Sequence, residues 1–264
     1  MLEFARDTAR EAGLLLFRNM GVLSEADVSY KGHTDLVTRV DRESEALIVG
    51  AIRRRYPDHG VFAEEDSRID SPSGYTWFID PLDGTTNFVH SFPLYCVSIA
   101  LARNDEPLLG AIYAPCLDEM FCAARGQGAT LNGRPLSVSR TSVLEDGLYC
   151  TGFASMRHQG APDNLRNFIR LLRVCQGVRR GGSAALELAY VAAGRLDAFW
   201  ELSLSPWDVA AGAAIVREAG GTVTDLRGSD GWLRGRQILA SNGKLHDRLL
   251  GLLDPDHRLR EDLD

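Results

Sequence analysis

The residues best suited to chemistry lie in the segment Trp-Phe-Ile-Asp-Pro-Leu-Asp-Gly, residues 77–84. An apolar run delivers Asp80, and Pro81 and Gly84 turn the chain, so that Asp80 and Asp83 can converge on one point. Two adjacent carboxylates repel each other unless a proton or a cation joins them. Because carboxylate and carbonyl oxygens suit Mg²⁺ or Mn²⁺, the pair predicts a divalent metal site. The alternative is an Asx turn in which the aspartates bond their own backbone.

The three residues Gly84, Thr85 and Thr86 follow the acidic pair directly. They offer backbone N–H groups and hydroxyls, which would cradle an anion if a helix begins at this point.

Two further acidic segments are candidates for the same site. Glu64 and Glu65 follow a predicted short strand at residues 60–62, and because neighbouring side chains on an extended chain point in opposite directions, only one of them faces the site. The simpler interpretation of the 64–66 acids is a solvated loop. Asp208 begins an apolar helix, where the simpler interpretation is an N-cap or a first-turn acid favoured by the helix dipole.

Composition limits the classes of function. The chain has 264 residues, 45% hydrophobic and 25% charged, which is typical of a globular protein with a sizeable core. Its 29 basic and 36 acidic residues give a net charge of -7. A mildly acidic surface repels phosphate backbones and anionic lipid, so we expect no direct nucleic-acid partner and no membrane-surface binding. A phosphorylated small molecule stays compatible with this charge if metal cations lie between the two.

The cysteines and the N-terminus favour a cytoplasmic location. The five cysteines are odd in number and none form a C-x-x-C pair, which argues against a disulfide framework or a zinc ribbon and fits a reducing compartment. The first residues lack a basic segment followed by an apolar one, and charges interrupt every apolar run well before the ~20 residues of a membrane span.

The elements that must position the acids alternate between helix and strand along the chain, which predicts a layered α/β sandwich. Asn132–Gly133 predicts a hairpin turn. Helices are predicted at residues 2–17, 41–55, 183–193, 208–219 and 246–253, and strands at 75–79, 96–101, 110–114, 119–124, 198–200, 222–224 and 237–240.

Together these segments resemble the inositol monophosphatase family of Mg²⁺-dependent, lithium-sensitive phosphatases. The resemblance covers roughly residues 30 to 245 and rests on five motifs. They are Lys31 with D-L-V-T-R-V-D at 35–41, the E-E pair at 64–65, W-F-I-D-P-L-D-G-T-T-N-F-V-H at 77–90, P-W-D-V-A-A-G at 206–212 and A-G-G at 219–221.

The resemblance implies the sugar-phosphatase fold, an αβαβα sandwich, with the active site between two halves of one functional unit. The N-terminal half, residues 1–140, would carry most of the metal ligands. The C-terminal half, residues 141–264, would carry Asp208 and the contacts to the substrate ring. Members of the family are commonly homodimers, so the same assembly is expected here.

The resemblance also implies a ligand set for two to three Mg²⁺ ions, with Mn²⁺ as a substitute. One ion would be held by Glu64, Asp80 and the carbonyl of Leu82, and Glu64 would assist a weaker third. The second ion would be held by Asp80, Asp83 and Asp208.

In the family the first metal activates a water that a threonine hydroxyl orients, and the threonine is paired with an aspartate. By similarity these residues are Thr85 and Asp41, and the backbone N–H groups of Gly84 and Thr85 would hold the phosphate. Metal ions neutralise the phosphate dianion, lower the pKa of bound water and stabilise the leaving alkoxide. No histidine or cysteine nucleophile is required.

The leaving-group contacts are also implied by similarity. Ser183 and Ala184 match a segment that contacts the sugar ring, although the tight start of a helix is a structural alternative. Glu201 stands seven residues before Asp208, where the inositol-specific branch has an acceptor for ring hydroxyls. Arg179 would lie near the leaving group or brace its own loop.

The expected function is therefore hydrolysis of myo-inositol monophosphate to inositol and phosphate. The main alternative is the same chemistry on histidinol phosphate, fructose 1,6-bisphosphate or a 3'-phosphoadenosine nucleotide, because one fold serves several leaving groups. A more distant alternative is a non-enzymatic regulatory protein, since some bacterial members of the family associate with the transcription machinery.

Overall fold

The computed structural model describes residues 1–30, 36–157 and 164–253. Within these residues the long helices and strands predicted from the sequence are all present, with ends that move by a few residues. The helices are α1 (Leu2–Asn19), α2 (Arg39–Arg55), α3 (Thr85–Val89), α4 (Leu165–Leu172), α5 (Ala184–Ala192), α6 (Pro206–Glu218), α7 (Trp232–Gly235) and α8 (His246–Leu252).

The strands form a small hairpin and two larger sheets. The hairpin pairs β1 (Val28–Tyr30) with β2 (Leu36–Thr38). The first large sheet contains β3 (Gly60–Ala63), β4 (Arg68–Ile69), β5 (Tyr75–Asp83), β6 (Cys96–Arg103), β7 (Glu106–Ala114), β8 (Glu119–Ala124), β9 (Ala129–Leu131) and β10 (Arg134–Leu136). The second contains β11 (Leu148–Thr151), β12 (Gly177–Arg179), β13 (Ala198–Leu202), β14 (Thr222–Thr224) and β15 (Gln237–Ser241).

The first sheet has the strand order β10-β9-β8-β7-β6-β5-β3-β4 and is antiparallel except for the parallel pair β3 and β5. The second has the order β12-β11-β13-β15-β14, with β11 parallel to both its neighbours. The predicted hairpin turn joins β9 to β10, and Asn132 and Gly133 both have positive φ angles, of 50° and 77°, as a tight two-residue turn requires.

Five layers result, because each sheet buries both of its faces. One apolar cluster joins α1 and α2 to the outer face of the first sheet. A second fills the space between the two sheets, where α5 and α6 lie. A third joins α4 and α8 to the outer face of the second sheet. The order α, β, α, β, α confirms the predicted layered sandwich, whereas the division at residue 140 stays a prediction.

The middle layer explains why α6 is apolar almost all round, since it contacts a sheet on either side. Its approach to the first sheet is so close that a Cβ on Gly110 of β7 would collide with the backbone of Ala211. Only glycine fits at that crossing, so β7 fixes the position of α6 and with it the start of that helix.

The described residues also bear on the expectations about disulfides and membrane-spanning helices. All five cysteines are free thiols. No described helix has both the length and the apolar character needed to cross a membrane.

Candidate active site

A cleft of about 480 Å³ lies where β5, α5, β13 and α6 meet. Most of its acidic lining comes from strand ends and helix starts, which are the places where backbone N–H groups are available to orient a carboxylate. The acidic side chains that line it are Glu64, Asp80, Asp83, Glu187, Glu201 and Asp208.

The end of β5 brings Asp80 and Asp83 to the cleft. The pairing of β5 with β6 shifts register between these two residues, because Pro81 interrupts the ladder. Asp80 Oδ1 accepts a hydrogen bond of 3.0 Å from the N–H of Leu82, and the hydroxyl of Ser44 donates to the Pro81 carbonyl at 2.9 Å. The Asx turn expected as the alternative to a metal site is therefore present, and the two acids nevertheless converge.

Asp83 joins β5 to the start of α5. Its Oδ2 accepts hydrogen bonds of 2.7 Å from the Ser183 hydroxyl and 2.7 Å from the N–H of Ala185. Ser183 is the N-cap of α5, and Ala184 is its first residue. The helix predicted to start here does so, and Ser183 and Ala184 also line the cleft, whereas their contact with a sugar ring stays a prediction.

Glu64 is the member of the acidic pair that faces the cleft, and Glu65 does not line it. The strand β3 runs parallel to β5, and the N–H of Glu64 donates to the Ile79 carbonyl at 3.1 Å, which holds Glu64 beside the end of β5. Behind it the buried carboxylate of Glu45 in α2 accepts from the N–H groups of Glu65, Asp66 and Ser67 at 2.8, 3.1 and 2.9 Å.

Thr85 and Asp41 form the predicted pair. Thr85 Oγ1 lies 3.1 Å from Asp41 Oδ1 and 3.1 Å from the Leu82 carbonyl oxygen. Asp41 is fully buried, and its Oδ2 accepts from the N–H and the hydroxyl of Thr38 at 2.8 and 2.5 Å in a capping box at the start of α2. Asp41 does not line the cleft itself and is linked to it by this hydrogen bond with Thr85.

Gly84 makes the turn between Asp83 and Thr85. Its φ angle is +96°, a conformation that favours glycine, and a Cβ there would lie 3.0 Å from the Leu94 carbonyl. Gly84 and Thr85 both line the cleft at the start of the short helix α3.

Asp208 is both a helix cap and a cleft residue. It is the third residue of α6, and its Oδ2 accepts from the N–H of Ser205 at 2.7 Å in a second capping box, with Pro206 as the first residue of the helix. Because Ser205 is the N-cap, α6 begins two residues earlier than the sequence predicted.

Burial raises the pKa values of three acids in the cleft, and repulsion between neighbouring carboxylates contributes. Burial, and then the charges of Glu64, Asp83 and Asp208, raise the pKa of Asp80 well above its usual range. Burial followed by the charges of Glu64 and Asp83 does the same for the pKa of Asp208. Burial also raises the pKa of Asp83, against the lowering effect of its hydrogen bonds from Ser183 and Ala185. Protons or cations must therefore compensate these groups at neutral pH.

The donor set fits a hard cation. Four carboxylates and the Leu82 carbonyl could supply oxygen ligands, and among the described residues that line the cleft there is no histidine or cysteine. Within the described ranges, however, no group of three or more acidic, histidine or cysteine side chains has an arrangement that could hold a metal ion. Binding would therefore draw the carboxylates of the cleft together.

Of Glu201 and Arg179, both expected near the leaving group, only Glu201 lines the cleft. Glu201 of β13 lines the cleft and accepts a hydrogen bond from the N–H of Ala154 at 3.2 Å. Arg179 does not line it: its exposed side chain donates to its own neighbour, the Val178 carbonyl, at 3.3 Å. The next residue, Arg180, lines the cleft instead, because the chain changes direction where β12 ends at Arg179.

Two residues of the upstream motif have no described position, and three residues at or behind the cleft were not predicted from the sequence. Lys31 and Asp35 of the upstream motif lie outside the described residues, so the structure gives no position for them. Sequence reasoning missed Glu187, Arg236 and the supporting Glu45. For Glu187 the available signal was its place one helical turn after Ser183, whereas Arg236 comes from a segment distant from every motif.

Comparisons with known proteins agree with this geometry. A family model described as the inositol monophosphatase family matches residues 1–257. The chain is 47% identical over 252 residues to an inositol-1-monophosphatase of Synechocystis sp., which covers 94% of this chain and 86% of that protein. It is 45% identical over 262 residues to a protein named Nus factor SuhB in Pseudomonas aeruginosa, which covers 97% of this chain and 96% of that protein.

A solved structure gives the same result for the fold. The extragenic suppressor protein suhB from Bartonella henselae superposes with a TM-score of 0.90 at 40% sequence identity. The superposition covers 95% of this chain and 96% of that chain, so the likeness extends through both large sheets.

Proposed function

The chain belongs to the inositol monophosphatase family, and from this premise we propose that it is a Mg²⁺-dependent phosphomonoesterase that hydrolyses myo-inositol monophosphate to inositol and phosphate. Membership of the family supports a phosphatase. The observation that carries the proposal is the convergence of Glu64, Asp80, Asp83 and Asp208 on one cleft beside the Thr85–Asp41 pair. The substrate, the metal and the roles of individual residues belong to the proposal.

The metal ligands in this proposal are Glu64, Asp80, the Leu82 carbonyl, Asp83 and Asp208, for two to three Mg²⁺ ions. Bound Mg²⁺ supplies charge neutralisation of the phosphate and lowers the pKa of water. The chain contributes orientation, because Asp80, Asp83 and Asp208 each have one carboxylate oxygen fixed by a backbone N–H. These backbone bonds do not engage the other oxygen of each carboxylate, and Asp80 also shares a side-chain hydrogen bond with Glu64 that a cation would replace.

Thr85 is the group that handles the proton of the attacking water. Asp41 Oδ1 accepts the Thr85 hydroxyl proton, which turns the lone pairs of Thr85 Oγ1 away from Asp41. Those lone pairs can accept a hydrogen bond from a water and orient its oxygen toward phosphorus. The N–H groups of Gly84 and Thr85 would hold the phosphate oxygens, and positioning of this kind supplies much of the rate in phosphoryl transfer.

The inositol assignment depends on Glu201. This buried carboxylate of β13 lines the cleft and can accept hydrogen bonds from ring hydroxyls. A Cβ on Gly152 would overlap the Glu201 carboxylate, so a larger residue at position 152 would displace that side chain. The likeness to a protein named inositol-1-monophosphatase supports the same substrate.

The test is phosphate release from a small panel of esters. The panel contains inositol 1-phosphate, histidinol phosphate, fructose 1,6-bisphosphate and 3'-phosphoadenosine 5'-phosphate, each with Mg²⁺, with Mg²⁺ and Li⁺, and with EDTA. Preference for inositol 1-phosphate, lost with EDTA and reduced by Li⁺, supports the full proposal. Preference for another ester retains the metal site and removes the inositol assignment, and activity that survives EDTA removes the metal site.

A regulatory role separate from hydrolysis is the second candidate. It is favoured by the likeness to the protein named Nus factor SuhB. An Asp83→Asn variant, expected to be inactive, separates hydrolysis from regulation. If cells that lack this protein show a growth defect and the inactive variant restores growth, the defect reflects the regulatory role.

The proposal also includes the location and the assembly. The protein would be a cytoplasmic homodimer, and within each chain the two halves, residues 1–140 and 141–264, would act as one functional unit. Light scattering that gives twice the mass of the chain is the expected result, and a single chain mass at micromolar concentration would contradict it.

A further inference from the structure

Two sulfur atoms and a phenol meet outside the cleft, at one end of the first sheet. Cys116 Sγ lies 3.4 Å from Met20 Sδ and 3.2 Å from the Tyr95 hydroxyl oxygen. That oxygen lies 3.4 Å from Met20 Sδ, so the three atoms form a closed triangle. None of these three residues lines the cleft, and the proposed mechanism uses none of them.

The pairing of two strands brings Tyr95 and Cys116 together. Tyr95 immediately precedes β6, and Cys116 lies just after the end of β7. These strands are antiparallel neighbours, with Val97 opposite Tyr113, so the start of one and the end of the other lie at the same end of the sheet. The buried Tyr95 ring packs edge-on against Phe88 of α3, with 5.1 Å between the ring centroids. This packing fixes the position of the Tyr95 hydroxyl.

Helix α1 brings Met20 to the same place, because Met20 is the C-cap of that helix. The helix lies close to β7 where it has no side chain: a Cβ on Gly13 would overlap the Tyr113 ring. The turn after β7 is also tied to the helix, since Asp118 accepts hydrogen bonds from Tyr113 at 2.9 Å and from Arg10 of α1 at 3.3 Å. The end of α1 is therefore held beside the turn that follows β7.

The triangle has more close contacts than hydrogens. The thiol carries one hydrogen and the phenol another, whereas the thioether is a weak acceptor only. Both the Cys116 thiol and the Tyr95 hydroxyl donate toward Met20 Sδ, and the thiol also donates toward the hydroxyl. Burial, and then the hydrogen bond with Cys116, raise the pKa of Tyr95, so the phenol keeps its proton. A cation in place of the thiol hydrogen would let the phenol donate to a thiolate, which is a stronger hydrogen bond.

The two sulfurs have the chemistry and the spacing of a soft-metal site. Thiolate and thioether ligands select Cu(I), whereas Mg²⁺ prefers oxygen. Metal–sulfur bonds are about 2.3 Å long, so two sulfurs on one ion lie at most about 4.6 Å apart, and the present 3.4 Å would increase by no more than about 1.2 Å. The unbranched Met20 side chain has the rotatable bonds for that movement. Both Met20 and Cys116 are partly exposed, so an ion can reach them from solvent.

We propose that Cys116 and Met20 form a binding site for a soft monovalent cation, Cu(I), with the Tyr95 hydroxyl as hydrogen-bond donor to the bound thiolate. Binding exchanges the thiol proton, which passes to solvent, for the Cu⁺ ion, so charge is conserved and no electron is transferred. The site is separate from the acidic cleft, whose oxygen ligands suit hard cations. The proposal does not depend on the proposed function.

The experiment is an anaerobic titration of the whole chain with Cu(I), in competition with the chromophoric Cu(I) chelator bicinchoninate. The wild type should take one tightly bound ion from the chelator. Cys116→Ser should weaken binding at least 100-fold, and Met20→Leu, which keeps the side-chain volume and removes the donor, at least tenfold. Cys175→Ser is the matched control, because Cys175 is also a partly exposed thiol, and it should keep the wild-type affinity. Wild-type affinity in Met20→Leu would mean that a single thiol holds the ion and would overturn the two-sulfur site.

Two further measurements identify the ligands and the location. X-ray absorption at the copper edge should show two sulfur neighbours at about 2.3 Å in the wild type and one in Met20→Leu, and a shell of oxygen or nitrogen alone would overturn the proposal. Tyr95→Phe keeps the ring against Phe88 and should weaken binding about tenfold, and an unchanged affinity would remove the phenol from the site. Saturating Mg²⁺ should leave the Cu(I) affinity unchanged, whereas displacement of Cu(I) by Mg²⁺ would place the ion in the acidic cleft and contradict a separate site.

Discussion

The substitution Asp83→Asn separates the metal-binding role of this acid from its role in the fold. The two strong hydrogen bonds to Asp83 arrive at the same oxygen, Oδ2, from the Ser183 hydroxyl and the Ala185 N–H at 2.7 Å each, and the Cys96 thiol makes a weak one to this oxygen at 3.8 Å. Asparagine can place its amide oxygen at that position and keep both bonds. The amide nitrogen then replaces the oxygen that would face a cation, and it cannot act as a ligand.

The expected magnitudes follow from these contacts. Hydrogen bonds to a charged group are worth about 1.5–3 kcal/mol and neutral ones about 1, so the two bonds together lose roughly 1–4 kcal/mol. Relief of repulsion with Asp80 and Asp208, whose pKa values the Asp83 charge raises, offsets part of that loss. A net loss of about 1–2 kcal/mol should lower the melting temperature of the metal-free variant by roughly 2–8 °C, at about 2–4 °C per kcal/mol.

Mg²⁺ should distinguish the two proteins clearly. At a concentration of 100 times the wild-type Kd, Mg²⁺ stabilises the wild type by about 2.7 kcal/mol. If loss of the Asp83 carboxylate weakens binding about 100-fold, the same concentration stabilises the variant by only about 0.4 kcal/mol. Phosphate release should fall at least about 100-fold, since an electrostatic contribution to the transition state is lost.

The assay is a thermal melt with and without Mg²⁺, combined with phosphate release from inositol 1-phosphate. Asp66→Asn is the matched control, because Asp66 belongs to the acidic run after Ala63 but does not line the cleft. It should keep the Mg²⁺ shift and the activity. Near-wild-type turnover and an undiminished Mg²⁺ shift in Asp83→Asn would refute the assignment of Asp83 to the metal site.

Three other predictions use the same preparations. Glu201→Gln should raise KM for inositol 1-phosphate at least tenfold more than KM for glycerol 2-phosphate, and equal losses would remove the ring-recognition argument. Thr85→Val should lower kcat at least about 100-fold while the Mg²⁺ shift in melting temperature persists, because Asp41 loses only its link to the cleft; an unchanged kcat would contradict the proton role of Thr85. His59 has a pKa lowered by burial, and its Nδ1 accepts the Trp77 indole N–H at 3.1 Å, so only its neutral form fits. Its contribution to stability is present above the unfolded pKa near 6.5 and is lost as the pH falls below it, so the melting temperature should decline less steeply from pH 7 to pH 5 in His59→Gln than in the wild type.

The layered fold could be predicted because the motifs are local and the periodicities are strong. The run 75–79 identified the strand that carries Asp80, and the helix predicted at 208–219 has the apolar character of the middle layer. The strand nevertheless continues to Asp83, beyond the predicted end at Ile79, because a register shift accommodates Pro81 without ending the pairing with β6. A proline that turns the chain and a proline within an irregular strand look the same in sequence.

The supporting residues could not be predicted, because their partners are distant in the chain. Glu45 looks like any acid on a helix, and only the packing of α2 against the first sheet brings it to the N–H groups of residues 65–67. Arg179 and Arg180 differ by one position, and the end of β12 decides which of them lines the cleft. Spacing alone cannot specify a direction that depends on where a strand stops.

The acids of the cleft also answer a question that the sequence left open, namely whether each is a structural cap or a ligand. Asp80 closes an Asx turn on Leu82, Asp83 accepts the N–H of Ala185 at the start of α5, and Asp208 caps α6. In each case one carboxylate oxygen is used by the backbone. These hydrogen bonds offset part of the cost of burying like charges together, and they orient each side chain before any cation binds. The structural role is therefore a condition of the proposed ligand role, and a sequence signal for a cap at the edge of an acidic cluster argues for a metal site as much as against one.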